Sequence, residues 1–245
     1  MSDAPVPSLS RRLSAEAVGT GLLLATVVGS GIMGERLAGG SVGLALLANS
    51  LATGAALVAL ILTFGALSGA HFNPAVTLSV AAERGLPWPE VLPYIGSQLA
   101  GAVAGVAIAD LMFDLPAFSL SQHTRQGPSQ LLSEFVATFG LLSVIWGSSR
   151  LRSSGAVAIA VGAYITAAYW FTASTSFANP AVTIARCLTD TFAGIRPADV
   201  PGFIVAQLLG AAAATALFRW LVPALPAAAP RVVGRGLEAS RATWG

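Results

Sequence analysis

Two stretches of this chain carry residue types suited to handling a small polar molecule: His71-Phe-Asn-Pro-Ala-Val-Thr-Leu78 and Phe177-Ala-Asn-Pro-Ala-Val-Thr-Ile184. They share Asn-Pro-Ala-Val-Thr, with the asparagines at 73 and 179, 106 positions apart (179 − 73). An Asn side-chain carbonyl accepts the free N–H groups of a helix's first turn, and Pro suits the following position because that N–H has no partner anyway. Asn73 and Asn179 are therefore read as caps, and Pro74-Ala75 and Pro180-Ala181 as the starts of short helices over roughly 74–82 and 180–190. About ten residues at ~1.5 Å each cover ~15 Å, half of a ~30 Å hydrocarbon core. A helix N-terminus carries roughly half a positive charge, and each Asn adds amide N–H groups. Two such tips facing one another repel a cation and still hydrogen-bond a neutral hydroxylated molecule.

The elements that must position these tips are membrane spans. The chain has 245 residues, 55% hydrophobic and only 10% charged, against about 25% charged in soluble domains. Six stretches are apolar and long enough to cross, at roughly 13–34, 42–66, 91–113, 131–149, 155–176 and 202–223. The first is too long for a signal-peptide core, and more spans follow it. Residues 13–113 run span, span, half-helix, span. The same order returns over 131–223, after a polar connection at roughly 114–128 that holds His123 and Arg125. Other landmarks repeat in step: Glu16 with Glu134 (134 − 16 = 118) and Gln98-Leu-Ala-Gly101 with Gln207-Leu-Leu-Gly210 (207 − 98 = 109). Three spans are an odd number, so the second half enters the membrane from the opposite face. That is an inverted repeat with its half-helices meeting near the midplane. Residues 1–12 and 224–245 are read as cytoplasmic tails flanking a channel domain at 13–223.

All thirteen basic residues are arginines. With both ends cytoplasmic, Arg11, Arg12, Arg84, Arg150, Arg152, Arg231, Arg235 and Arg241 fall inside, and Arg36, Arg125 and Arg196 outside. That bias follows the positive-inside rule, so the basicity implies no nucleic-acid partner. A single cysteine, Cys187, excludes an internal disulfide.

The paired Asn-Pro-Ala motifs, Glu16 with Glu134, and Gln98 with Gln207 resemble the aquaporin and aquaglyceroporin family over roughly 13–223. The resemblance implies an all-α membrane protein with six tilted helices and two re-entrant half-helices. It also implies a homotetramer with one pore per chain, and passive conduction of water or small uncharged solutes without a cofactor. Exclusion of cations by half-helix dipoles is a recognised device of aquaporin-type pores. Most family members place an arginine directly after the second Asn-Pro-Ala; this chain has Val182. The family's other three constriction residues, carried over by counting back from the asparagines, fall on Thr53, Ala167 and Ser176. The set Thr53, Ala167, Ser176 and Val182 is small, uncharged and without an aromatic ring. A wide gate with poor selectivity for water is the expectation. A bacterial branch linked to arsenic resistance resembles this chain in having valine at that position. The resemblance implies conduction of trivalent arsenicals (arsenite and methylated forms), with polyols and water, across the cell's inner (plasma) membrane.

Four further side chains need a role. Glu16 and Glu134 are costly inside a membrane, and their symmetric placement suits accepting N–H groups from the irregular backbone before each half-helix. His71 lines the inner approach by family analogy. Arg186 lies nearly two helical turns after Asn179. It either supplies a displaced positive charge at the outer mouth or is held by Asp190 or by loop carbonyls. Gly101, Gly105 and Gly210 suit close helix contacts, and Trp88 and Tyr94 suit the membrane interface. Competing readings are a general water and glycerol channel, a coupled secondary transporter, and a membrane junction protein. No nucleophile–base set or metal-ligand spacing favours an enzyme.

Overall fold

A computed structural model describes residues 7–149 and 154–222. Most of the expected N-terminal tail, the tail at 224–245, and Arg150, Arg152, Arg231, Arg235 and Arg241 lie outside the described residues. Eight α-helices follow in order: α1 (Leu9–Leu37), α2 (Val42–Ser68), α3 (Pro74–Ala82), α4 (Trp88–Met112), α5 (Pro128–Ser148), α6 (Ser154–Phe171), α7 (Pro180–Arg186) and α8 (Val200–Leu221). Five of them, α1, α2, α4, α5 and α8, are long and apolar enough to cross a membrane, and α6 is a shorter apolar helix. The short α3 and α7 open on Asn73 and Asn179.

The packing repeats as the sequence does. α1 packs on α4 and α2; α5 packs on α8 and α6; α2 against α6 joins the halves. Small residues permit the closest crossings. A Cβ at Gly101 would overlap the carbonyl of Ala17, and one at Gly210 would overlap the carbonyl of Phe135. Neither crossing has room for a side chain, so the α1–α4 and α5–α8 backbones lie in direct contact.

Several boundaries differ from the expected ones. α1 begins at Leu9 rather than near 13, and Arg12 in its first turn is neutralised. Its Nη1 and Nη2 reach Glu90 on α4 at 2.6 and 2.9 Å, and Nη1 reaches the Tyr94 hydroxyl at 3.4 Å. Tyr94 is fully buried and donates to the Ser68 carbonyl at 3.1 Å, so it does not sit at the interface; Trp88 is exposed. α6 stops at Phe171, not near 176, because Thr175, Ser176 and Ala178 take left-handed conformations. α7 stops at Arg186, not near 190, and the chain then turns to run beside residues 119–121. Ser119 N–H donates to Leu188 C=O at 2.8 Å and Ser121 N–H to Cys187 C=O at 3.0 Å.

Gly101→Val should separate α1 from α4. An overpacked contact of this kind costs about 1–3 kcal/mol, to be read as a lower thermal midpoint of the detergent-purified protein. A midpoint equal to wild type would show that the crossing tolerates a side chain.

Candidate functional site at two facing half-helices

Each half-helix hangs from one buried carboxylate. Glu16 on α1 accepts from Ser68 Oγ (2.6 Å), His71 N (3.0 Å), Phe72 N (2.7 Å) and Gln98 Nε2 (2.8 Å). Glu134 on α5 accepts from the matching donors Ser174 Oγ (2.6 Å), Phe177 N (2.9 Å), Ala178 N (2.9 Å) and Gln207 Nε2 (2.6 Å). Both are fully buried, and four donors each are what make a buried carboxylate tolerable. The same glutamines also donate to the motif threonines, Gln98 to Thr77 Oγ1 at 2.9 Å and Gln207 to Thr183 Oγ1 at 2.8 Å. Those two threonines, last in the shared motif, had no assigned role from sequence. Their equal distance from each Asn is the signal that could have found them.

The loops so held are left-handed at Ala70 and Phe72 in one half and at Ser176 and Ala178 in the other. Such non-glycine conformations cost on the order of 1–3 kcal/mol each, offset here by the carboxylate bonds. The result is that the two tips meet. Asn73 Oδ1 accepts from Ala75 N at 2.9 Å, and Asn179 Oδ1 accepts from Ala181 N at 2.9 Å and Val182 N at 3.3 Å. The amide nitrogens cross over: Asn73 Nδ2 donates to the Ala178 carbonyl at 2.8 Å, and Asn179 Nδ2 to the Phe72 carbonyl at 2.7 Å. An amide NH2 has two hydrogens, so each Asn keeps one donor beyond this crossed bond. His71, on the loop beside Asn73, pairs its Nδ1 with Thr77 Oγ1 at 3.1 Å, and its Nε2 has no partner among the described residues.

The residues expected to form a constriction are only partly brought together. Thr53, Ser176 and Val182 are buried. Ala167 is exposed and shares the outer face of α6 with Ile159, Ala163 and Trp170. Tyr169 takes the inward place instead: it is buried, with its hydroxyl 3.2 Å from Thr53 Oγ1. The correction follows from the end of α6, since counting back from Asn179 crosses seven non-helical residues (172–178) whose path does not advance at the helical rate. An aromatic ring therefore stands beside Thr53.

A cavity of about 210 Å³ lies at the end of the bundle where α2 and α5 begin, lined in part by Asn49, Thr175, Arg125 and Arg186. Arg186 is buried, donates from Nε to the Ala193 carbonyl, and lies with its Cζ 3.4 Å from the Phe177 ring centroid. Asp190 is not its partner: that carboxylate accepts from Gln122 N at 2.8 Å. Among the described residues no partner is found for the terminal guanidinium nitrogens of Arg186.

Apolar crossing helices around two half-helices with touching polar tips define a membrane channel rather than an enzyme. The chain belongs to the major intrinsic protein family, a family of channel proteins, which matches residues 4–155 and 148–242. It is 58% identical over 219 residues to the aquaglyceroporin AqpS of Rhizobium meliloti, covering 89% of this chain and 93% of that one. It is 29% identical to aquaporin Z of Bradyrhizobium diazoefficiens, over 86% of this chain and 93% of that one. Aquaporin NIP3-1 of Oryza sativa is 34% identical over 66% of this chain, a match spanning 53% of the plant protein. Among solved structures, the aquaglyceroporin from Plasmodium falciparum superposes with a TM-score of 0.70 over 89% of this chain and 99% of that one, at 22% identity. The fold is the aquaporin-like one.

Glu134→Gln should loosen the second half-helix, because each carboxylate oxygen accepts one backbone N–H and one side-chain donor, and whichever oxygen becomes NH2 meets both with donors of its own. Each orphaned buried donor costs about 1–3 kcal/mol, so the thermal midpoint should fall well below wild type. An unchanged midpoint would mean the loop is held by something else.

Proposed function

We propose that this chain is a passive pore for small uncharged solutes in the plasma membrane, with trivalent arsenicals among its cargo. The observation that carries the pore reading is the crossed pair of asparagine bonds. Asn73 and Asn179 cap the two half-helices opened by Pro74-Ala75 and Pro180-Ala181, and present their remaining donors where two positive helix ends converge. A cation stripped of water is repelled there, and a neutral hydroxyl is accepted. Glu16 and Glu134 act as structural supports, and His71 lines the approach from the inside. Both termini are taken as cytoplasmic from the arginine distribution, which makes the cavity beside Arg186 the outer mouth.

In this reading Thr53, Tyr169, Ser176 and Val182 form the outer constriction, with Arg186 as a displaced charge just beyond. Valine in place of a guanidinium removes five donors and adds an apolar surface. A passing solute then finds hydroxyls on Thr53, Tyr169 and Ser176 opposite Val182. That suits a molecule carrying its own hydroxyls on a compact apolar centre, such as arsenous acid or a polyol, more than a file of water. The 58% identical relative being named an aquaglyceroporin supports cargo of that size. Homotetrameric assembly is part of the same proposal.

Stopped-flow measurements on one preparation of proteoliposomes should show glycerol and arsenous acid equilibrating faster than in empty vesicles, without saturation and without an ion gradient. No arsenite flux above empty vesicles would remove the arsenical reading, and ion-driven uphill uptake would remove the passive one. Val182→Arg should cut arsenite flux by roughly tenfold, equivalent to ~1.4 kcal/mol in the barrier, with a smaller effect on water. Equal losses of both would place the discrimination elsewhere.

A further inference from the structure

We propose that Arg125, carried by the linker between the two repeats, forms a fifth wall of the outer constriction and supplies the fixed guanidinium that position 182 lacks. The proposal rests on the pore reading above. The linker is fastened along the segment that leaves α7. Besides the two bonds from Ser119 and Ser121, Gln122 N donates to Asp190 Oδ1 at 2.8 Å, Arg196 N to the His123 carbonyl at 2.7 Å, and Arg125 N to Asp199 Oδ2 at 2.8 Å. Gly194 faces this strip so closely that a Cβ there would overlap Ser121 Oγ. Arg125 therefore enters the mouth from a backbone fixed at both sides.

Its guanidinium satisfies acceptors from the very loops that frame the constriction. Nε donates to Gly194 O at 2.8 Å, Nη1 to Ser174 O at 3.2 Å and Thr175 Oγ1 at 3.5 Å, and Nη2 to Phe192 O at 3.5 Å. Its Cζ stands 5.0 Å from the centroid of the Phe177 ring, the same ring that Arg186 covers. The side chain forms no ion pair among the described residues, and it lines the cavity together with Arg186.

Two consequences follow for a cation at this mouth. The loop carbonyls that would replace its lost hydration are occupied by guanidinium donors. Two positive charges also stand on the cavity wall, and among the described residues no carboxylate is paired to them. A neutral solute loses nothing to either effect. The barrier that a single arginine after Asn-Pro-Ala would provide is thus divided between Arg186, further along the same segment, and Arg125 from the linker that joins the repeats. Position 182 is left free to be apolar.

The test uses the full-length protein in vesicles, with glycerol flux and sodium or proton leak read on the same preparation. Arg125→Gln should raise the ratio of leak to glycerol flux on the order of tenfold, and Arg125→Lys by much less, because the charge is kept. Arg125→Cys in a Cys187→Ser background adds a readout that a purely structural role would not move. A trimethylammonium thiosulfonate adduct should lower the leak, and a sulfonate adduct should raise it. Equal responses to the two reagents, or an Arg125→Gln protein with wild-type leak, overturn the proposal. If Arg125→Gln fails to assemble, the two labelled adducts decide alone. Wild-type vesicles that pass no solute would overturn the pore reading itself, which distinguishes the two failures.

Discussion

Everything at the centre of this protein depends on two carboxylates buried among apolar helices. A bare carboxylate there would be intolerable, and each survives by collecting four donors from its loop and the neighbouring helices. That need works in both directions. The carboxylates require backbone N–H groups turned inward, and the strained loops before Asn73 and Asn179 require acceptors to hold them left-handed. The half-helix tips meet because both requirements are met at once.

The supports reach outward to the helix crossings. Glu16 and Gln98 can share a 2.8 Å bond only if α1 and α4 lie in backbone contact, and that contact is where Gly101 faces Ala17. Gly210 facing Phe135 does the same for Glu134 and Gln207. Small residues within one turn of the glutamines thus govern the placement of the polar groups that hold the tips. The motif threonines complete each unit by tying the first turn of the half-helix to the same glutamine.

Departures from the repeat gather at one end. Four residues (69–72) link α2 to Asn73, whereas seven (172–178) link α6 to Asn179. Gly69 in the first half is matched by Thr175 in the second, both left-handed. The second half also receives the linker strip, two guanidiniums and the Thr53–Tyr169 contact. Symmetry builds the meeting of the two half-helix tips, and the broken symmetry lies beside it.

The amino-acid sequence by itself determined the helix starts at Asn73 and Asn179, the doubled order of elements and the partnership of Glu16 and Glu134 with their loops. Those features are local, or they repeat, and chain distance is enough to read them. Tertiary structure alone decided that Tyr169 rather than Ala167 turns inward, because the chain leaves the helix after Phe171 and the count back from Asn179 does not carry a helical face across residues 172–178. It also decided that Arg186 is held by the Ala193 carbonyl instead of Asp190, and that Arg125 lines the same cavity as Arg186. The partners of both arginines are mostly backbone carbonyls, which every residue has and which leave no mark in a sequence.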